Sequence, residues 1–319
     1  MTRRRENTRS ATDERHLEHP NVKSVLVLGA TGMLGHKLMQ RWADRYECTG
    51  TVRVPEPAPA LAELLGAERL RGGVDATEPR SVAAAIDAAG AEVVVNCIGV
   101  VKQAEAATDP VPSIRINSLF PHEVAALCRE RRARLIHVST DCVFTGSKGA
   151  YTEDDHPDAE DLYGRSKLLG ETPGPSALTV RTSIIGRELH NDYGLVEWLI
   201  SNRGGAVKGF ERAIFSGFTT AALADQLGTL IDEGEEIEGV WHLSADPIDK
   251  NSLLGALNQA LGLGIAVTPD DRVALDRSLD SSRLRAAVGL HPPSWPEMVA
   301  GMAADETPYD TIRSELARR

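Results

Sequence analysis

Val25-Leu-Val-Leu-Gly29-Ala-Thr-Gly32-Met-Leu-Gly35 decides the fold of this 319-residue chain. Four apolar residues ending on glycine are too few for a helix and read as a central strand of a parallel sheet, buried on both faces. Gly29 permits a tight turn, Gly32 lets a pyrophosphate approach the backbone, and Gly35 removes a side chain where the next helix must pass close to the strand. That helix is predicted over 33–44, with Leu34, Leu38 and Trp42 at four-residue spacing as its apolar face. Its unpaired first amides carry partial positive charge, which makes Gly29, Thr31, Gly32, Met33, Leu34 and Gly35 candidate dinucleotide-binding positions. A glycine-rich connection that binds nothing has the same local pattern, so the rest of the chain has to decide.

Strands are expected near 24–28, 47–52, 69–74, 93–97, 134–139 and 177–181, alternating with helices. Such alternation gives an α/β fold, a Rossmann-type doubly wound parallel sheet. One of these helices is predicted over 112–131. After Gly186 the alternation weakens. A helix over 192–201 leads into a glycine- and aromatic-rich stretch, 204–220, and a helix over 219–232 with a strand over 239–243 then rejoins the sheet. The expected division is a disordered tail at 1–21 and a dinucleotide-binding domain at 22–185, rejoined by 219–245. A smaller interleaved C-terminal substrate domain is expected from 186–218 and 246–319. The acidic, turn-rich segment 148–160 is expected to lie over the site.

Composition agrees with a soluble, cytoplasmic protein. Hydrophobic residues make up 42% and charged residues 25%, ordinary for globular proteins. No apolar run approaches the length of a membrane span, and the basic start Met1-Thr-Arg-Arg-Arg has no apolar region after it, so it is not a secretory signal. A net charge of −11 argues against general affinity for nucleic acid. Cys48, Cys97, Cys128 and Cys142 lack metal-ligand spacing and are expected to be reduced; the nine histidines form no ligand set, so no metal is implied.

Tyr163 and Lys167 lie four apart in a predicted helix, on one face. A phenol titrates near 10, so a nearby ammonium in a dry cleft is expected to lower it toward useful acidity. Before it, Arg134-Leu-Ile-His-Val-Ser139-Thr140-Asp141 is an apolar strand ending in hydroxyl and carboxylate residues. Ligands of open α/β sheets sit at the carboxyl ends of strands, so Thr140 is placed where a substrate carbonyl would be. At the end of the second strand an acid would bind the ribose 2′-hydroxyl of NAD, whereas this chain has Arg53, which favours NADPH with NADH as the lesser alternative.

The glycine spacing G-x-x-G-x-x-G resembles that of the short-chain dehydrogenases/reductases. Ser139-Thr-Asp-Cys-Val-Phe-Thr-Gly146, the 23 residues from Thr140 to Tyr163, Tyr163-Gly-Arg-Ser-Lys-Leu-Leu-Gly-Glu171 and Val180-Arg-Thr-Ser-Ile-Ile-Gly186 resemble the extended members that act on nucleotide-linked 4-keto sugars, above all the dTDP-4-dehydrorhamnose reductase family. The likeness covers most of the chain from about Val22 and continues weakly into Arg277-Ser-Leu-Asp280. It implies Thr140, Tyr163 and Lys167 as catalytic triad and Asn96, Cys97, Gly99, Asp75, Asn117, Ser139 and Arg181 around the cofactor. On the substrate side it implies Lys102, Asp141, Cys142, Lys208, Arg212 and Phe215. Asp75 reads equally as a turn aspartate capping the helix after Pro79. The family commonly has tyrosine after Ser-Thr-Asp, and Cys142 here leaves the sugar open. Dehydratases of the superfamily carry Thr-Asp-Glu, which this chain lacks. The alternatives are a nucleotide-sugar epimerase that recycles tightly held NAD, and a non-catalytic NADP-binding regulator. A homodimer is left open.

Overall fold

The computed structural model describes residues 22–101, 108–190 and 192–318; the tail expected at 1–21 and the candidate Lys102 lie outside the described residues. The first half runs β1 (Ser24–Leu28), α1 (Gly35–Arg41), β2 (Glu47–Thr51), α2 (Pro59–Leu65), β3 (Leu70–Arg71), α3 (Pro79–Ala89), β4 (Val93–Asn96), α4 (Pro110–Ser113), α5 (Phe120–Arg131), β5 (Arg134–Thr140), α6 (Leu162–Leu169) and β6 (Ala177–Thr182). The second half adds β7 (Ile184–Ile185), α7 (Leu195–Ser201), β8 (Ala206–Phe215), β9 (Phe218–Thr219), α8 (Thr220–Asp232), β10 (Gly239–His242), β11 (Ile248–Asp249), α9 (Lys250–Ala260), β12 (Ala266–Asp276), α10 (Ser282–Val288), α11 (Trp295–Ala303) and α12 (Tyr309–Leu316).

Seven strands form one sheet in the order β10-β6-β5-β4-β1-β2-β3, parallel throughout. Strand alternation divides β1 between two cores. Val25 and Val27 pack with Leu38 of α1, with Trp42 just after it, and with Leu223 and Leu227 of α8. Leu26 and Leu28 pack with Val82 and Ile86 of α3 and with Val124 of α5. Helices therefore cover both faces, and the fold is the doubly wound, Rossmann-type sheet. Trp42 is fully enclosed, and its indole N–H donates to the Ala224 carbonyl at 3.1 Å, which ties α1 to α8 without an unpaired polar atom. The strand order reverses between β1 and β4, so the cleft at their carboxyl ends is where a ligand fits. A second, three-stranded sheet, β11-β8-β12, comes from the later part of the chain.

The predicted elements differ from the structure in two places with clear causes. The strand expected over 69–74 stops at Arg71, because Gly73 takes φ +73 and turns the chain. The helix expected over 112–131 contains a wide π turn at Ile114–Leu119 between α4 and α5. Pro121 has no N–H to give the carbonyl four residues back, that of Asn117, so the regular ladder opens there.

The C-terminal segment folds back onto α1 and α2. Tyr309 Oη meets His36 Nε2 at 3.1 Å, Lys37 pairs with Asp305 at 2.7 Å, and the Ala60 amide donates to Glu315 at 3.2 Å. Among the described residues no helix is long and apolar enough to cross a membrane.

Candidate active site

Gly29 adopts φ +87; its amide donates to Thr51 Oγ1 and its carbonyl accepts from the Gly32 amide, both at 3.1 Å. A Cβ on Gly35 would lie 2.0 Å from that carbonyl oxygen, so only glycine lets α1 begin there. Beside this turn lies a cavity of about 930 Å³, the size of a small-molecule or cofactor site. It is lined by Gly29, Thr31, Gly32 and Met33 of the turn, Arg53 after β2, Asp75 after β3 and Gly99 after β4, so four successive βα connections open into it. Bare glycine backbone at a helix start and a guanidinium after the second strand suit a phosphate-bearing dinucleotide. Leu34 does not line the cavity, and its side chain is in the core. Asp75 accepts from the Thr77 amide and hydroxyl, both at 2.7 Å, and these bonds hold its carboxyl below the usual range; it does not cap α3, and it lines the cavity. Glu188, Leu189, His190 and Leu316 complete the lining from the second half of the chain. No sequence pattern marked them.

The second part of the site lies between β5 and α6. Thr140 ends β5; its hydroxyl donates to Asp141 Oδ1 at 3.2 Å and accepts from the Cys142 amide at 3.1 Å. Asp161 caps α6 by accepting from the Gly164 amide at 2.7 Å, which sets Tyr163 in the first turn. A Cβ on Gly164 would fall 2.2 Å from the Cys142 carbonyl oxygen, so glycine here is what brings α6 against the 141–143 turn and the phenol beside Thr140. Sequence reasoning passed over that glycine, although its place next to Tyr163 was a usable signal.

Burial raises the Tyr163 phenol well above its ordinary value, with Cys142, Asp141 and Asp161 adding to the effect and a hydrogen bond with Thr140 opposing it. The expectation that Lys167 lowers this phenol is thereby corrected: its ammonium is directed elsewhere. Lys167 is 5% exposed and Nζ donates to the Val138 carbonyl at 2.8 Å. A Cβ on Gly99 would come within 3.9 Å of Nζ, so the ammonium stands behind the cavity wall. Burial lowers Lys167 to about 8, against the pull of Glu171 and Cys97. Tyr163 is thus a protonated phenol at neutral pH, the form that can give a proton. Asp141, likewise raised by burial, is opposed by its bond with Cys142 and by the Arg277 guanidinium.

Several candidates are displaced from their expected roles. Asn96 is fully enclosed, with Nδ2 on His137 Nδ1 at 3.1 Å and Oδ1 accepting from the Ile98 amide at 3.1 Å, so its side chain braces the loop and does not face the cavity. Asn117 accepts from the Val100 amide at 2.8 Å and donates to the Val100 carbonyl at 3.1 Å and to Ser166 Oγ at 3.2 Å, stapling the loop after β4 to α6. Ser139 and Arg181, expected at the cofactor, both bind Glu171 beneath α6. Cys97 sits beside Lys167, its thiol pushed up to about 12 by burial. Phe215 is a core residue, its ring 5.7 Å from that of Trp295. Lys208 pairs with Asp270 at 3.4 Å in the small sheet, and Arg212 is exposed on β8; neither lines the cavity.

A family model described as "RmlD substrate binding domain" matches residues 23–252. A probable low-salt glycan biosynthesis reductase of Haloferax volcanii is 26% identical over 308 residues, 90% of this chain and 99% of that protein. A dTDP-4-dehydrorhamnose reductase of Aggregatibacter actinomycetemcomitans is 27% identical over 311 residues, 88% of this chain and 98% of that one. Among solved structures, a dTDP-4-dehydrorhamnose reductase of Bacillus anthracis in complex with NADP superposes with a TM-score of 0.72 at 20% identity, covering 88% of this chain and 98% of that one.

Proposed function

Because this chain belongs to the RmlD substrate binding domain family, we propose that it is an NADPH-dependent reductase of a nucleotide-activated 4-keto-6-deoxysugar. The observation that carries this reading is geometric: Tyr163 stands in the first turn of α6 beside Thr140 at the carboxyl end of β5, and Lys167 of the same helix lies behind Gly99 in the wall of the cavity that the glycine turn and Arg53 line. When bound, NADPH supplies the hydride to the carbonyl carbon. Gly29, Gly32 and the start of α1 would hold its pyrophosphate and Arg53 its 2′-phosphate, with Lys167 reaching the ribose beside Gly99. Thr140 donates a hydrogen bond to the carbonyl oxygen and polarises it. As negative charge develops on that oxygen, Tyr163 gives up its proton to it. Asp141 and Cys142 flank the place where the sugar would sit. The segments 186–218 and 246–319 form the substrate side in this reading, and the compartment is the cytoplasm.

The test is loss of reduced-nicotinamide absorbance with a dTDP-4-keto-6-deoxysugar, run with wild type, with Tyr163→Phe and with NADH in place of NADPH. Stoichiometric oxidation that disappears in Tyr163→Phe, while NADPH binding persists, is the expected result. Sugar interconversion without net NADPH consumption would mean an epimerase, and binding without turnover on a panel of keto-sugars would mean a regulatory protein.

A further inference from the structure

The last helix, α12, carries an apolar stripe that runs from a small core into the cofactor cavity. Tyr309, Ile312 and Leu316 are spaced three and four residues apart, so they share one face. Tyr309 and Ile312 are buried with Ala58 and Leu61 at the start of α2 and with Leu189, which follows β7; Leu316 packs at the edge of this cluster. Leu316 also lines the cavity, together with Ala58 and Leu61, which come soon after Arg53 on the connection that follows β2.

Two polar contacts fasten α12 to different walls of that cavity. Glu315 accepts from the Ala60 amide at 3.2 Å. Ala60 is the second residue of α2, and Ala58, which precedes that helix, has no side chain that could cap it. The free amide at the start of α2 therefore finds its acceptor on α12, far along the chain. Arg313 donates through Nε and Nη2 to the Glu188 carbonyl, at 2.9 and 2.6 Å, and pairs with Glu197. Glu56 and Ala58 line the cavity from the connection after β2, and Glu188 and Leu189 line it from the segment after β7, so α12 bridges the two walls. At the other end of the segment, the Lys37–Asp305 pair and the contact of His36 with Tyr309 anchor it on α1. An apolar stripe alone would suffice to cover α2; the contacts of Glu315 and Arg313 fix how far apart the two walls stand.

We propose that α12 is the outer wall of the adenosine subsite: Leu316 packs against the adenosine half of the dinucleotide, and Glu315 is a positioning residue that, with Arg313, holds the helix across it. The proposal rests on the reading of the cavity as an NADPH site in which Arg53 takes the 2′-phosphate, but not on the identity of the sugar. A ligand that touches α12 must stabilise it, and loosening α12 must weaken that ligand by the same factor.

The experiment is hydrogen exchange of α12 in the full chain, free and saturated with NADPH or with adenosine 2′,5′-bisphosphate, alongside titrations of both ligands into wild type, Leu316→Ala, Glu315→Ala and Glu315→Gln. Burial of part of a leucine side chain predicts a gain of about tenfold in the protection of α12 with either ligand. Leu316→Ala and Glu315→Ala should weaken both ligands by about three- to tenfold, and Glu315→Gln, which keeps an oxygen for the Ala60 amide, should recover most of the loss. Thermal melts report whether the variants are folded, and the exchange comparison in wild type needs no variant. Unchanged protection of α12 in wild type saturated with NADPH would overturn the proposal, as would protection by NADPH that the bisphosphate does not reproduce. Protection by both ligands in a protein that reduces no keto-sugar would support it while refuting the substrate reading; a wild type that binds neither ligand would refute both.

Discussion

Replacing Gly35 with alanine tests the joint between β1 and α1 directly. The added Cβ would sit 2.0 Å from the Gly29 carbonyl oxygen, 2.9 Å from its carbon and 3.0 Å from Ala30 Cα. All three are backbone atoms, so no rotamer change relieves the clash. A carbon and a carbonyl oxygen rest about 3.3 Å apart, so the start of α1 must retreat by about 1.3 Å. Overpacking of a rigid site costs about 1–3 kcal/mol, and the upper end applies where only backbone can yield. For a chain of this size that is a fall in Tm of about 5 °C. The same retreat pulls the first amides of α1 away from the pyrophosphate. Loss of one charge-assisted hydrogen bond, about 1.5–3 kcal/mol, weakens NADPH binding by about 10- to 100-fold. Gly32→Ala separates the two effects, because its Cβ would stand 3.5 Å from the Gly29 carbonyl oxygen, an ordinary contact, yet the methyl group projects beside the cavity. Thermal melts and NADPH titrations on both variants should show Gly35→Ala losing stability and affinity, and Gly32→Ala losing affinity alone. Unchanged NADPH affinity in Gly32→Ala would refute the placement of the pyrophosphate on this turn.

Arg53→Ala should raise the NADPH Kd by about 10- to 100-fold, the worth of one charged hydrogen bond, and leave NADH affinity unchanged; equal losses for both cofactors would remove the 2′-phosphate from Arg53. The free-enzyme profile of kcat/KM should hold below pH 8 and fall by about tenfold per unit above it, because Lys167 loses its proton near 8 while Tyr163 stays protonated; a flat profile to pH 9.5 would contradict this. Burial works against ionisation of Asp305, yet Lys37 and the hydroxyls of Thr307 and Tyr309 hold it down to about 2. A carboxyl with a depressed folded-state pKa contributes stability above its unfolded value near 3.9 and loses it as pH falls toward 2. The protection of α12 amides against hydrogen exchange, relative to the unfolded chain at the same pH, should therefore fall between pH 4 and 2, and Asp305→Asn should produce the same loosening at neutral pH, by about 2 kcal/mol for a partly buried pair; unchanged protection of α12 in the variant would show that the segment is held by other contacts.

Whatever depended on local pattern was legible in the sequence. The apolar run at Val25–Leu28, the glycines after it and the four-residue spacing of Tyr163 and Lys167 each specify a short piece of backbone. The general rule about strand ends then places Arg53 at the cleft, where it lines the cavity, and Thr140 at the carboxyl end of β5. The readings that failed depended on partners far along the chain. Ser139, Arg181 and Asn96 end strands of the central sheet, where ligand-binding residues also stand, and alternation along a strand says which face a side chain takes but not what meets it there. Arg181 finds Glu171 ten residues earlier and His242 sixty-one residues later. The π turn was readable in principle, since Pro121 inside a predicted helix must leave the Asn117 carbonyl without its usual donor. Leu316 and its neighbours at the cavity carried no local mark at all, because α12 reaches the site only by packing back onto α1 and α2.

The polar layer beneath α6 did leave one trace in the sequence. Leu178-Thr-Val-Arg181-Thr182 reads as an interior strand of a parallel sheet, and a guanidinium on such a strand cannot remain unpaired, since an isolated buried charge costs far more than the fold can offset. An anion had to lie against that face. Glu171 was the nearest acid before it, at the end of the helix that carries Lys167. A cation in an otherwise apolar strand therefore predicts its buried counter-ion.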